Sequence, residues 1–371
     1  MPLSTEDNLR LNVMLASQVD AVRIDEGRMI VYGLSANNEA EIKLNPNCKD
    51  EQYIRQVREL LSGHVLGSPG GYPVYLKRWT RMGQMKDESL SDLLKLGEPE
   101  AIMAVVCAPG LTNELARLAW WAAPEAEHAR RMLENELIVQ GSMGKELADF
   151  LIEFLPFEED PYAIVRSVRL VLQADLVDEQ TRKALWDRGK KKNVFRIGFL
   201  EASAGNLPES LPAREDAEEY ATQLQALTVA GNKLAARLQR TLSAEGQSFL
   251  DTAEAILRKP SNQEVVCALM NAVGNYFSDQ PLPEKGQQDI EILLAEAETA
   301  CAEDEAAALI VALPALRAEV VAVQTLARLT DEICTPVFAR TDAMGTVMRK
   351  KLEPVTTPVF RQISILRGTA T

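Results

Sequence analysis

The chain has 371 residues, 46% of them hydrophobic and 25% charged; that balance excludes a disordered protein, and the length calls for two or three domains rather than one core. Aromatic residues are only 5%, which favours helices packed on helices over sandwiches or barrels, and no run of 18 apolar residues is present to cross a membrane as a helix. A formal charge of −14 argues against non-specific nucleic-acid binding, although a local basic face could still achieve it.

The charge is unevenly placed. Residues 1–87 carry 11 basic and 11 acidic side chains, whereas residues 88–371 carry 29 and 43. In chain order, Ser4 caps a predicted helix over 4–17, with Asp7 in its first turn and Leu9, Val13 and Leu15 as apolar positions. Two β-rich runs, Ala21 to Asp25 and Met29 to Leu34, flank the Glu26-Gly27 turn and read as a hairpin. Glu39 to Leu44 alternates and reads as a third strand. Asp50 starts a helix carrying Tyr53, Val57, Leu60 and Leu61 on one face. A glycine-rich loop from Gly63 to Gly71 leads into a fourth extended run, Tyr72 to Arg81.

From Ser89 the texture is helical. Helix starts fall near 98, 112, 125, 142, 160 and 178, so a helix pair spans about 30–36 residues, as in α-solenoid repeats, but without a shared repeat signature. Gly198 to Arg214, with two glycines and two prolines, reads as a linker. Beyond it, Tyr220, Leu224, Leu227, Gly231, Leu234 and Leu238, and then Ile290, Leu294, Ala297 and Cys301, have the spacing of bundle seams, with Gly231 marking close helix approach. Thr335-Pro336 and Thr357-Pro358 both read as helix starts. The fold class expected is mainly α: a small N-terminal α+β module over 1–87 (an antiparallel sheet with one or two helices), an α-hairpin stack over 88–197, the linker 198–213, and a helical bundle with C-terminal tail over 214–371.

Candidate chemistry is sparse. Glu125-x-x-His128 is half of a di-iron carboxylate motif, but His64 offers no second half, and a salt-linked surface histidine is the simpler reading. The loop His64 to Tyr72 lacks the P-loop lysine and leads into a strand, so it reads as a turn rather than a phosphate cradle. No metal, cofactor or catalytic residue is expected. The five cysteines are scattered and read as reduced thiols. Cys48, between Asn47 and Lys49 just before a helix, is the candidate reactive thiol; Cys107, Cys267, Cys301 and Cys334 read as core atoms. Trp120-Trp121 reads as core and rim of one helix. Two basic features are candidate interaction surfaces. Tyr75, Lys77, Trp79 and Arg81 alternate along one strand face with Arg78 opposite, which suits stacked single-stranded RNA but equally an amphipathic strand under a loop. Arg188, Lys190, Lys191 and Lys192 concentrate charge at a helix end, where capping accounts for much of it and a phosphate or acidic partner could be met.

The stretches Asp7-Asn8-Leu9-Arg10-Leu11-Asn12-Val13, Val31-Tyr32-Gly33-Leu34, Gly63 through Leu76 (containing His64-Val65-Leu66-Gly67-Ser68-Pro69-Gly70-Gly71-Tyr72) and Arg78-Trp79-Thr80-Arg81-Met82-Gly83-Gln84 resemble the DsrS family. That family is encoded with the dissimilatory sulfite reductase genes of sulfur-oxidising bacteria. The likeness is clearest over residues 7–86 and continues less distinctively to about Leu200. It implies a cytoplasmic accessory or regulatory protein in the oxidation of stored sulfur, and it transfers no catalytic residues. The opening Met1-Pro2-Leu3-Ser4-Thr5, with no basic or apolar leader character, also fits the cytoplasm. The expectation is therefore a non-enzymatic interaction protein with a protein partner in the sulfur-oxidation machinery and no membrane insertion. The alternatives are an RNA-binding regulator using the 75–81 face, or a thiol-based sulfur carrier using Cys48.

Overall fold

Alternation of apolar and polar residues in the first fifty positions is enough to build a sheet with one greasy face. In the computed structural model, which describes residues 3–36, 38–67, 87–283 and 285–369, β1 (Ala21–Asp25), β2 (Ile30–Leu34) and β3 (Glu39–Lys43) form an antiparallel sheet in the order β1-β2-β3. Ile24 pairs with Val31 and Val31 with Ile42, which puts these residues on one face. That face packs on α1 (Thr5–Ala16) and α2 (Asp50–Leu66) through Leu11, Met14, Leu15, Tyr53, Val57 and Leu61. Ser4 does cap α1, its side chain accepting from Asp7 N at 3.2 Å. The buried stripe of that helix is nevertheless Asp7, Leu11, Met14 and Leu15, whereas Leu9 and Val13 are 66% and 62% exposed, so the expected apolar face is only partly the one used. On the opposite sheet face the Arg23 guanidinium lies 4.5 Å from the Tyr32 ring and 4.9 Å from the Trp121 ring.

Helices then follow: α3 (Asp87–Leu93), α4 (Pro99–Val106), α5 (Asn113–Ala122), α6 (Ala126–Met132), α7 (Glu136–Val139) and α8 (Ser142–Phe154). Their starts sit where the sequence puts breakers and caps. Pro99 is at N1, and Thr112 accepts from Leu115 N. Trp120 is buried edge-on to Phe150 at 4.8 Å and Trp121 is half-buried, the core and rim positions expected. These elements and the sheet make up one compact unit, Met1–Phe154.

The second unit, Leu155–Thr371, is helical throughout its described residues. It comprises α9 (Pro161–Val171), α10 (Glu179–Arg188), α11 (Val194–Ala202), α12 (Ala217–Val229), α13 (Lys233–Leu242), α14 (Ala244–Arg258), α15 (Gln263–Phe277), α16 (Ile290–Ala300), α17 (Asp304–Ala312), α18 (Arg317–Leu326), α19 (Thr335–Phe338) and α20 (Gly345–Leu366). Asp160, Asp178, Asn232, Ser243, Asn262 and Asp289 cap their helices with side-chain oxygens. At the centre runs α15, with ten buried residues, packed by α9, α11, α14 and α18.

The divisions of the chain fall elsewhere than at residues 87 and 198–213. Residues 198–202 complete α11, where Ile197, Gly198, Phe199 and Leu200 are buried, leaving about 203–216 as the irregular stretch. Gly198 is there for contact, since a Cβ on it would overlap Val168 of α9. Gly231 shows the reverse. It has φ +95° and open space around it, and ends α12 in a turn where Gly231 N donates to Thr228 O and Asn232 N to Leu227 O. That pair of bonds is a Schellman cap, which needs a residue of positive φ, so this glycine turns the chain rather than admitting a neighbour. The seam is correspondingly short: Leu224 is the buried residue of α12, followed by Leu234, Ala235 and Leu238 of α13. In α16 the buried residues are Leu293, Ala297 and Ala300.

Thr335-Pro336 does open α19, but Thr357-Pro358 lies inside the 22-residue α20 together with Pro354. Proline at 354 and 358 removes donors to the carbonyls of residues 350 and 354. Lys350 and Pro354 are exposed, so water can serve those carbonyls and the helix continues.

Candidate functional site

The run expected to form a strand and carrying Tyr75, Lys77, Arg78, Trp79 and Arg81 lies outside the described residues, as does Ser68 to Gly71. Cys48 is half-buried and packs against the apolar cluster under the sheet, with Lys49 as N-cap of α2. Arg188 ends α10, and Arg188, Lys190, Lys191 and Lys192 are all exposed. Part of this charge is answered locally. Lys190 Nζ lies 2.7 Å from Asp187 and 3.7 Å from Glu209, while Arg196 lies 3.6 Å from Glu209 and over the Trp186 ring.

His128 is not a salt-linked surface residue. It is 2% exposed, with Nδ1 2.9 Å from the Ala123 carbonyl oxygen, because the turn before α6 folds back over it, while Glu125 is exposed. Among the described residues no group of three or more His, Cys, Asp or Glu is placed to hold a metal ion.

The second unit holds two features that pattern reading passed over, and they touch. One is a cleft of about 860 Å³ lined by α9, α11, α13 and α15. Tyr162, Arg166 and Arg169, spaced 4 and 3 along α9, reach it from one face together with Val165, while Ile164, Val168 and Val171 bury the other. Arg169 lies 3.7 Å from Glu201. Although Glu201 ends α11 in an exposed position, its side chain is only 23% exposed, and burial pushes its carboxyl above the usual range against the pull of Arg169. Across the cleft, the Arg240 guanidinium lies 4.3 Å from the Tyr276 ring centroid. Tyr276 is 9% exposed, and its hydroxyl is buried beside the Arg240 side chain. Burial raises the pKa of that phenol, so the hydroxyl stays a donor.

The second feature is a pair of thiols. Cys267 and Asn271 sit four residues apart on one face of α15. Asn271 Oδ1 accepts from Asp331 N at 2.8 Å, and Gln263 Nε2 donates to Thr341 O at 2.8 Å. These two bonds pin the 3-10 turn Asp331–Cys334 along that face and bring Cys334 to Cys267. Cys334 and the Tyr162 side chain, at the cleft edge, are both neighbours of Cys267. Cys334, helped by Tyr162, holds the Cys267 thiol below its ordinary range despite burial and the carboxylates of Asp331 and Glu264. Cys334 moves the other way: the neighbouring Cys267 and its own burial push it well up. Arginines at spacing 4-3 opposite an apolar face were a legible signal for the cleft. Nothing local signals the thiol pair, because its members lie 67 positions apart.

Three arginines beside a phenol can bind a small anion, with each guanidinium offering a charged, directional fork. No protein-family model, curated protein or solved structure matches this chain. No helix among the described residues is long and apolar enough to cross a membrane.

Proposed function

We propose that this chain is a non-enzymatic accessory or regulatory protein of cytoplasmic sulfur oxidation that binds a small oxyanion in its second unit and docks a protein of that machinery. The observation that carries the binding reading is the convergence of Arg166, Arg169 and Arg240, against the two carboxylates of Glu201 and Asp279, on a cleft also lined by Tyr276, in a chain whose formal charge is −14. A cationic recess in an acidic protein favours an anionic ligand over the rest of its surface. The sulfur context rests on the DsrS resemblance of residues 7–86. Docking of an acidic partner is supported by the exposed Arg188, Lys191 and Lys192 on one turn. Use of Cys48 as a sulfur carrier has less support, since that thiol packs against apolar side chains.

Calorimetric titration of the full chain with sulfite, sulfate and thiosulfate tests the reading. Saturable binding that weakens with added salt is expected. Tyr276→Phe, which keeps the ring packing, should weaken it by about tenfold, the worth of a hydrogen bond to a charged group, without loss of thermal stability. Arg169→Gln should weaken it at least as much. Absence of saturable binding by any of these anions, or wild-type affinity in both variants, overturns the proposal.

A further inference from the structure

The thiol pair supports a chemistry that the anion reading does not require. Cys267 is half-buried beside the cleft, whereas Cys334 is fully buried behind it. The turn that carries Cys334 is packed along the face of α15 that carries Cys267, and both backbones are fixed: Cys267 by α15, Cys334 by the bond from Asp331 N to Asn271. The remaining thiols are isolated from one another in this respect. Cys107 is exposed with Met103 sulfur 3.7 Å away, Cys301 donates to the Ala297 carbonyl inside α16's last turn, and Cys48 lies in the first unit.

We propose that Cys267 and Cys334 form a dithiol–disulfide couple, in which Cys267 attacks a small-molecule disulfide and Cys334 resolves the resulting mixed disulfide. The roles follow from access. An external disulfide meets Cys267 from the Tyr162 side, whereas Cys334 has no exposed surface and reaches only Cys267. In the first step the Cys267 thiol gives its proton to solvent and its sulfur bonds to one sulfur of R–S–S–R; the S–S bond breaks and RS⁻ leaves, taking up a proton. In the second, Cys334 loses its proton and bonds to Cys267 sulfur, and the second RS⁻ leaves and is protonated. Two protein thiols are oxidised by two electrons, one disulfide is reduced to two RSH, and no other reactant is needed. The bond to be formed is about 2.05 Å long, and closing it needs a local approach of two side chains whose backbones lie on elements already packed together. Cys334 and Tyr162 beside Cys267 stabilise its thiolate, which is the attacking species. Closing the bond also alters the sulfur that neighbours Tyr162, so the oxidation state is felt at the edge of the cleft.

Equilibration of the full chain in a series of oxidised-to-reduced glutathione ratios, followed by alkylation and peptide mass mapping, tests the couple. The expected product is a Cys267–Cys334 cross-link that titrates with the ratio, while Cys107 gives at most a mixed disulfide with glutathione. Cys334→Ser should trap glutathione on Cys267, and Cys267→Ser should give neither adduct nor cross-link at Cys334. Five alkylatable thiols or single adducts without the cross-link at every ratio would sink the proposal. If a serine variant does not fold, native-state alkylation of the wild type serves instead. Cys267 should then react at least about tenfold faster than Cys334, because thiolate is the nucleophile; equal rates count against the couple.

Discussion

In the first unit the buried polar side chains are Asp7, Ser62, His128 and Arg130; in the second there are twelve among the described residues. Three strands satisfy one another along their ladders, so the sheet module needs few polar groups inside. A helical unit has no such ladder between its elements, and the last four carbonyls of every helix lack partners within it. Here side chains from far along the chain supply them. Arg237 and Arg240 donate to the carbonyls of Phe277 and Tyr276 at the end of α15, Asn193 to Lys259 after α14, and Arg214 and Gln247 to Ile365 and Leu366 at the end of α20. Arg367 then ties that terminus to Asp251 and Glu254 of α14. Helix ends packed into a core therefore draw on side-chain donors from other helices, two of which, Arg214 and Gln247, are buried, and these donors knit the second unit together.

Breaking the busiest of these donors should have the largest effect. Arg214 is 8% exposed and donates to Asp216, to Glu319 at 3.0 Å and to the Ile365 carbonyl. Arg214→Ala leaves Glu319 with its carboxylate in a nearly closed site and is expected to cost about 3–5 kcal/mol in urea unfolding. A loss under 1 kcal/mol would mean that apolar packing alone holds the unit.

The first unit offers the matched test. Asp7 is fully buried and accepts from the Tyr53 hydroxyl at 2.5 Å and Asn45 N at 2.8 Å, and the Tyr53 hydroxyl oxygen also accepts from Ser4 N. Tyr53→Phe should lower stability by about 1–3 kcal/mol, read by the same unfolding curve, because it removes one donor from a buried carboxylate.

Acid separates the two regions further. Burial alone would push the Glu254 carboxyl up, but hydrogen bonds from Arg258 and Arg367 outweigh it and hold it below its ordinary value of 4.5. A depressed carboxylate contributes stability that is complete above the unfolded value and is lost as pH falls through the folded one. The unfolding midpoint of wild type should therefore drop below about pH 4.5, and Glu254→Gln should lessen that slope. An identical slope in the variant would show that the clamp does not carry the acid sensitivity.

The smallest effect belongs to the outward side of α1. Leu9→Ala and Val13→Ala, at positions 66% and 62% exposed, should each change stability by no more than about 0.5 kcal/mol, whereas Leu11→Ala, fully buried, should cost about 2–5 kcal/mol. Equal costs would show that Leu9 and Val13 are covered in solution.

Helix starts at Thr112, Asp160 and Asp178, the hairpin of β1 and β2, and the third strand are settled by the sequence itself, because caps and alternation act over three or four residues. The two glycines show where that reach ends. Gly198 and Gly231 each interrupt an apolar pattern, yet one lies against Val168 and the other turns the chain at φ +95°, and the distinction depends on whether another helix passes by. The same holds for the thiols: the apolar surroundings of Cys267 and Cys334 are local, but their meeting is fixed by Asn271 holding the turn at Asp331. Periodicity narrows the choice of buried face, and α1, with Leu9 and Val13 exposed and Asp7 buried, shows that packing makes the final choice. Which partner covers that face, and which distant arginine serves its last carbonyls, is decided only when segments tens to more than a hundred residues apart are packed together.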